Sequence, residues 1–129
     1  MERARYLIDT NSIIDYIGKK MPESGMLFLD TVIDNIPNIS VITKIELLGF
    51  NASDKDEALL LSFTDDSVIF DLSDDIVNQC ITLRKKHKIK LPDVIIAATA
   101  LTFNLQLITR NTRDFDGIDG LTIINPWDL

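Results

Sequence analysis

Four carboxylates draw attention before any fold is assumed: Asp9, Glu46, Asp93 and Asp114. Asp9 ends the apolar run Arg5-Tyr6-Leu7-Ile8 and is followed by Thr10 and Asn11, so an acid, a hydroxyl and an amide fall together. Glu46 follows Ile39-Ser40-Val41-Ile42 within about one helical turn, Asp93 opens the most apolar stretch of the chain, and Asp114 sits in Thr109-Arg110-Asn111-Thr112-Arg113-Asp114-Phe115. Two carboxylates about 4 Å apart repel by about 4 kcal/mol at an effective dielectric near 20, so four that converge must protonate in part or hold cations. An all-oxygen set without Cys or His suits Mg²⁺ or Mn²⁺ better than zinc. The chemistry such ions serve is phosphoryl transfer or phosphodiester hydrolysis.

Each acid also has a plain structural reading. Asp9, Thr10 or Ser12 can cap the helix that follows. Thr43-x-x-Glu46 fits a capping box, in which Glu46 would satisfy a backbone N–H, and this is the favoured local reading. Asp93 in a first turn is a favourable partner for the helix dipole, although Ala97, Ala100 and Leu101 share its face and carry it toward the sheet. Asp116 and Asp119 flank the Gly117 region and read mainly as turn residues, with Asp116 kept as a possible further ligand.

The elements that must position these groups alternate. Apolar, β-branched runs at Arg5–Asp9, Asn38–Ile42, Ser67–Leu72, Leu105–Thr109 and Leu121–Ile124 predict five strands. Stretches of helical period at Ser12–Ile17, Glu23–Asn35, Lys44–Phe50, Asp54–Phe63, Asp74–His87 and Asp93–Asn104 predict six helices, with Ser73 as an N-cap and Pro92 in a first turn. Such alternation predicts an α/β fold in three layers, a mostly parallel central sheet of about five strands flanked by helices, whose ligands collect at the carboxyl ends of the strands. Residues 1–129 read as a single domain, without a repeat or a dividing linker.

With 46% hydrophobic and 26% charged residues, the composition is that of an ordinary globular protein. Thirteen Lys and Arg against twenty Asp and Glu leave a net charge of −7, which argues against nucleic-acid binding by net charge alone. A local patch is still present: Arg84-Lys85-Lys86-His87-Lys88-Ile89-Lys90 holds five of the thirteen cations, though these also complement a helix C-terminus. Arg110 and Arg113 are alternative backbone contacts nearer the acids. The one cysteine, Cys80, excludes an internal disulfide and a thiolate metal cluster, and reads as a core residue. No apolar run reaches the roughly 20 residues of a membrane span, so a cytoplasmic protein is expected. No glycine-rich phosphate loop is present among the five glycines.

Together, Asp9-Thr10-Asn11, Thr43-Lys44-Ile45-Glu46-Leu47, Pro92-Asp93-Val94-Ile95-Ile96-Ala97-Ala98 and Thr109-Arg110-Asn111-x-x-Asp114-Phe115 resemble a PIN-domain nuclease in order and spacing, over nearly the whole chain. Within that family the chain is similar to VapC-type toxins of toxin–antitoxin pairs. The resemblance implies a metal-dependent endoribonuclease with Asp9, Glu46, Asp93 and Asp114 as catalytic and metal-holding residues, and Mg²⁺ or Mn²⁺ as cofactor. It further implies that Thr10, Asn11 and Asn111 support the site; from their own chemistry Thr109 is a further group to orient a carboxylate or metal-bound water, and Arg84, Lys85, Lys86, Lys88, Arg110 and Arg113 are the candidate RNA contacts. A homodimer and an inhibitory antitoxin are the implied protein partners. It shifts the reading of Glu46 and Asp93 from capping toward ligation. The alternatives are a PIN-type RNA-processing nuclease outside such a pair, a non-catalytic RNA-binding PIN scaffold, or a receiver-like phosphoacceptor domain. The last is disfavoured because Ser73 follows Leu72 and Asn125-Pro126 follows Ile124, where such a domain would place its phosphoacceptor Asp and its Lys.

Overall fold

The computed structural model describes residues 5–129. Five strands, β1 (Tyr6–Ile8), β2 (Asn38–Ser40), β3 (Val68–Phe70), β4 (Gln106–Ile108) and β5 (Ile123–Ile124), form one sheet in the order β3-β2-β1-β4-β5, and every neighbouring pair is parallel. The six helices are α1 (Thr10–Ile17), α2 (Glu23–Asp34), α3 (Val41–Leu48), α4 (Asp54–Asp65), α5 (Asp74–Lys86) and α6 (Leu91–Thr102). A 3-10 turn, Thr112–Phe115, lies between β4 and β5.

Side-chain alternation along the strands divides the interior in two. Leu7 and Leu107 join Ile76, Cys80, Leu83, Val94 and Ala97 in a cluster under α5 and α6. Their neighbours Ile8 and Ile108 join Ile13, Leu29, Leu47 and Leu60 on the opposite face, under α1, α2, α3 and α4. All four strand residues are fully buried, each at a gain of about 1.5–3 kcal/mol over exposure. Helix α3 reaches both clusters, since Leu47 lies in one and Ile42 packs on the other.

The chain steps from β1 outward to β2 and β3, then crosses back through α5 and α6 to place β4 on the other side of β1. Connections thus diverge to opposite faces between β1 and β4, which is where open α/β sheets form their clefts. The main-chain bond from Asp9 N to Ile108 O, 2.9 Å, fixes the carboxyl end of β1 beside that of β4.

The expected elements are all present, with two boundary corrections that bear on the site. The run Asn38–Ile42 is not strand throughout: Ser40 ends β2, caps α3 and accepts from Ile42 N at 3.2 Å, so Val41 and Ile42 begin a helix despite their β-branched side chains. In consequence Thr43 lies inside α3 rather than at its N-cap, and the Thr43–Glu46 capping box does not form. Ser73 caps α5 by accepting from Ile76 N, and Pro92 occupies the first turn of α6, both as expected. No helix among the described residues is long and apolar enough to cross a membrane.

Candidate active site

Asp9 is both the N-cap of α1 and the buried centre of the carboxyl edge. Its Oδ1 accepts from Thr10 N at 2.7 Å, and its Oδ2 accepts from the Thr109 hydroxyl, also at 2.7 Å, from a residue 100 positions away. Thr109 in turn accepts from Asn111 N at 3.0 Å. Burial pushes the Asp9 carboxyl above its ordinary range, the bonds from Thr109 and Thr10 oppose that rise, and the charges of Glu46 and Asp114 reinforce it. The capping reading of Asp9 holds, and the same side chain stands buried at the carboxyl edge with its second oxygen on Thr109.

Glu46 is freed for the edge by the shortened β2. Thr10 Oγ1 donates to Glu46 Oε1 at 2.7 Å and lies 3.0 Å from Thr43 Oγ1, so α1 and α3 are tied by three polar side chains around the first strand end. Thr10 and Thr43 are buried while the Glu46 carboxylate is exposed. Ser12, at the third position of α1, is 1% exposed and its Oγ has no hydrogen-bond partner among the described residues.

On the other side of Asp9, Asp93 enters from the first turn of α6, and Asp114 from the 3-10 turn after β4. Asp114 stands close enough to Asp93 for its carboxyl to raise the cost of ionising Asp93. Burial first, then the charges of Asp114 and Asp9, raise the Asp93 carboxyl to about 6, and Lys90 opposes the shift. Asn111 Nδ2 donates to Asp114 Oδ2, which steadies the second acid.

These two acids open into a cleft of about 620 Å³. Asp116 and Arg113 line it, and across from them stand Arg84, His87, Lys88 and Lys90, where α5 ends and α6 begins. Lys85 and Lys86 face the adjoining depression of about 450 Å³. Arg84, Lys85 and Lys86 also occupy the last turn of α5, so the run complements that helix end and walls the cleft at once. Arg110 does not line this cleft: its guanidinium lies 3.8 Å from the ring centre of Trp127. Asn11 is exposed at the start of α1. The structure thus brings Asp9, Asp93 and Asp114 within electrostatic reach, ties Glu46 through Thr10, and turns Arg110 away from Arg113.

The donor set consists of carboxylates and hydroxyls, with Lys90 as the cation that offsets Asp93. No group of three His, Cys, Asp or Glu side chains among the described residues is drawn close enough to enclose a metal ion. An open arrangement of hard oxygen donors fits Mg²⁺ or Mn²⁺, since Mg²⁺ is generally held by one or two carboxylates and keeps several waters.

Ser12 is a candidate cap in the sequence but instead lies buried within α1, while the roles of Thr43 as a side-chain partner and of Trp127 are not visible in the sequence pattern. Only the early end of β2 places Thr43 beside Thr10. Trp127 carried a weak signal, as the single tryptophan directly after Asn125-Pro126.

A model of the PIN domain family matches residues 6–121, and the chain belongs to that family. Within it the resemblance is to the VapC type. A structure titled as a toxin-antitoxin complex from Klebsiella pneumoniae is 33% identical, with a TM-score of 0.74 over 96% of this chain and 99% of that one. FitAcB from Neisseria gonorrhoeae is 26% identical with a TM-score of 0.78, covering 96% and 99%. VapBC2 from Rickettsia felis, bound to a promoter DNA fragment, is 25% identical with a TM-score of 0.75, covering 93% and 97%. No curated protein matches the chain.

Proposed function

We propose that this chain is a divalent-metal-dependent endoribonuclease, the toxin of a toxin–antitoxin pair, with Asp9, Glu46, Asp93 and Asp114 as its metal-holding and catalytic residues in a single domain. The observation that carries the reading is the meeting of Asp9, Asp93 and Asp114 at one sheet edge of a PIN-family chain, where burial first, then the charges of Asp114 and Asp9, raise Asp93 to about 6. Such mutual repulsion is what bound Mg²⁺ or Mn²⁺ would relieve, and Asp116 stands in the same cleft as a further oxygen donor. When bound, the ion supplies Lewis acidity toward a phosphodiester and a nucleophile at neutral pH.

The protein's own groups do the positioning. Thr109 and Thr10 N fix both oxygens of Asp9, Thr10 fixes Glu46, and Asn111 fixes Asp114. Asn11, exposed beside Thr10, is placed to orient substrate. Arg84, Lys85, Lys86, Lys88 and Arg113 give RNA phosphates a cationic wall despite the net charge of −7.

The antitoxin partner is supported by the toxin-antitoxin complex, VapBC2 and FitAcB structures that this chain resembles. A groove of about 410 Å³ suits a basic, apolar segment of such a partner: Ile17, Ile36, Leu59 and Phe63 give it an apolar floor, and Asp34 and Asp66 add negative charge. A homodimer acting in the cytoplasm completes the reading, with sedimentation as the check on the dimer.

The test is cleavage of a structured RNA pool, including total tRNA, with Mg²⁺ or Mn²⁺, by wild type and Asp93→Asn purified side by side. Discrete cuts that vanish in EDTA and in the variant are expected. Equal activity in both, or none from the wild type with either metal, overturns the reading.

A further inference from the structure

The Arg110–Trp127 pair lies outside the acid cleft, and what holds it is the end of the chain. Trp127 N donates to Asn125 Oδ1 at 3.0 Å and Asp128 N donates to Asn125 O at 3.0 Å, which folds residues 125–128 into a tight turn after β5. The turn is clamped onto α2: a Cβ on Gly25 would lie 2.3 Å from Pro126 O, so only glycine allows this approach, and Ser24 Oγ donates to Leu129 O. Trp127 packs against the α1–α4 core with its Nε1 buried and without a hydrogen-bond partner among the described residues. Its ring therefore presents a face, rather than a donor, to its surroundings, and the Arg110 guanidinium occupies that face at 3.8 Å.

Arg110 is exposed, and it follows directly on Thr109, whose hydroxyl holds Asp9. The Arg84–Lys90 wall belongs to the α5–α6 layer, whereas Trp127 belongs to the α1–α4 layer on the opposite face of the sheet. The cleft cations and the Arg110–Trp127 pair are thus supported from opposite faces of the sheet, and Thr109 links the latter to Asp9.

We propose that Arg110 is a second phosphate-holding point, on the far side of the acids from the α5–α6 wall, and that Trp127 is the positioning residue that keeps its guanidinium there. The inference rests on the nuclease reading above. A ribonucleotide strand would cross the acids with one phosphate near Arg84 or Lys88 and another at Arg110, so that the bond between the two flanks is the one presented for cleavage. The stacked guanidinium keeps its edge N–H groups free, which is the arrangement a phosphate accepts. Trp127 touches no substrate in this scheme, and its effect passes through Arg110.

The experiment is steady-state cleavage of total tRNA by the full chain, with wild type, Arg110→Ala, Trp127→Leu, Trp127→Phe and the Arg110→Ala/Trp127→Leu double variant, across salt concentrations. Arg110→Ala and Trp127→Leu should each raise KM about tenfold with kcat within about twofold. Each should make log binding against log salt shallower by about 0.7, the share of one phosphate contact on a single strand. The double variant should be no worse than either single one, and Trp127→Phe should stay near wild type, since an aromatic face is retained. Unchanged KM and salt slope in Arg110→Ala, or additive losses in the double variant, overturn the proposal. If Trp127→Leu does not fold, the single tryptophan serves as its own probe: total tRNA in EDTA should change Trp127 emission in wild type and not in Arg110→Ala, and an identical response in both overturns it. Asp93→Asn run beside these separates the two levels. If wild type cuts and Asp93→Asn does not, while Arg110 and Trp127 have no effect on KM, only this inference falls. If wild type neither cuts nor binds RNA, the nuclease reading falls with it.

Discussion

Burial and neighbouring acids raise the carboxyls on both halves of the acidic edge, but the two halves are given different partners. Around Asp9 both carboxylate oxygens have donors, and Glu46 has Thr10, so hydroxyls and a backbone N–H absorb the charge. Around Asp93 the nearest polar partner is another acid, Asp114, and the opposing cation is Lys90. The first half holds its geometry whether or not a cation is present. The second carries charge that the protein itself leaves largely uncompensated, and the open cleft lies on that side. The difference teaches that, under the proposed function, position is set by the half with donors and the pull on a cation comes from the half with paired acids.

The largest test of that division is neutralisation on the crowded side. Asp93→Asn or Asp114→Asn should lower cleavage by about 10³-fold, since a bound ion contributes several kcal/mol of charge stabilisation and each tenfold is 1.36 kcal/mol. The same variants, without metal, should melt on the order of 3 °C higher than wild type near pH 7, because a repulsion is removed. Calorimetry in EDTA reads this, and a lower melting temperature would erase the proposed contrast.

Next comes Thr109→Val on the satisfied side. Loss of a positioning partner should reduce activity about 10–100-fold, and leaving Asp9 Oδ2 without its donor should destabilise the fold by about 1–3 kcal/mol. Urea titration beside kinetics distinguishes the halves: activity and stability fall together here, but move apart in Asp93→Asn.

A smaller effect is expected from the cationic wall. Lys88→Ala should raise KM a few-fold and make the salt dependence shallower by about 0.7, leaving kcat near wild type. A change in kcat alone would place Lys88 with the acids instead.

The smallest effect lies away from the edge. Burial and the bond to Asp30 raise the Tyr16 hydroxyl to about 12. Between about 10 and 12 the folded chain keeps a proton that the unfolded chain has lost, so this contribution to stability is complete below pH 10 and disappears as the pH rises through 12. Tyr16→Phe should flatten that alkaline slope, which denaturant titrations at pH 9 to 11.5 would show.

Much of this was legible in the sequence because periodicity and strand-end polarity are local signals. Tyr6-Leu7-Ile8 before Asp9, and Leu107-Ile108 before Thr109, mark the carboxyl ends of β1 and β4, and the helical period read over Asp93–Asn104 corresponds to α6, Leu91–Thr102. What failed depended on contacts between distant residues. Ile39-Ser40-Val41-Ile42 has the composition of a strand throughout, yet the Ser40 side chain starts a helix three residues early, which removes Glu46 from a capping box. The tie of Thr10 to Glu46 spans 36 positions, and no local pattern encodes it. The contact of Arg110 with Trp127 spans 17 positions and depends on a turn whose Pro126 lies against Gly25, so no local pattern reveals it.

The central strand of the sheet also governs when the molecule can work. Because β1 pairs in parallel with β4, the hydroxyl that fixes Asp9 is made 100 residues after it. A ribosome that has released only residues up to about 100 holds a chain with neither Thr109 nor Asp114, whatever helices have already formed. Long-range parallel pairing of this kind is slow to form, since loop closure precedes any gain from contact. Synthesis therefore separates Asp9 by 100 residues from the hydroxyl that holds it, and the buried edge closes only when β4 has paired with β1.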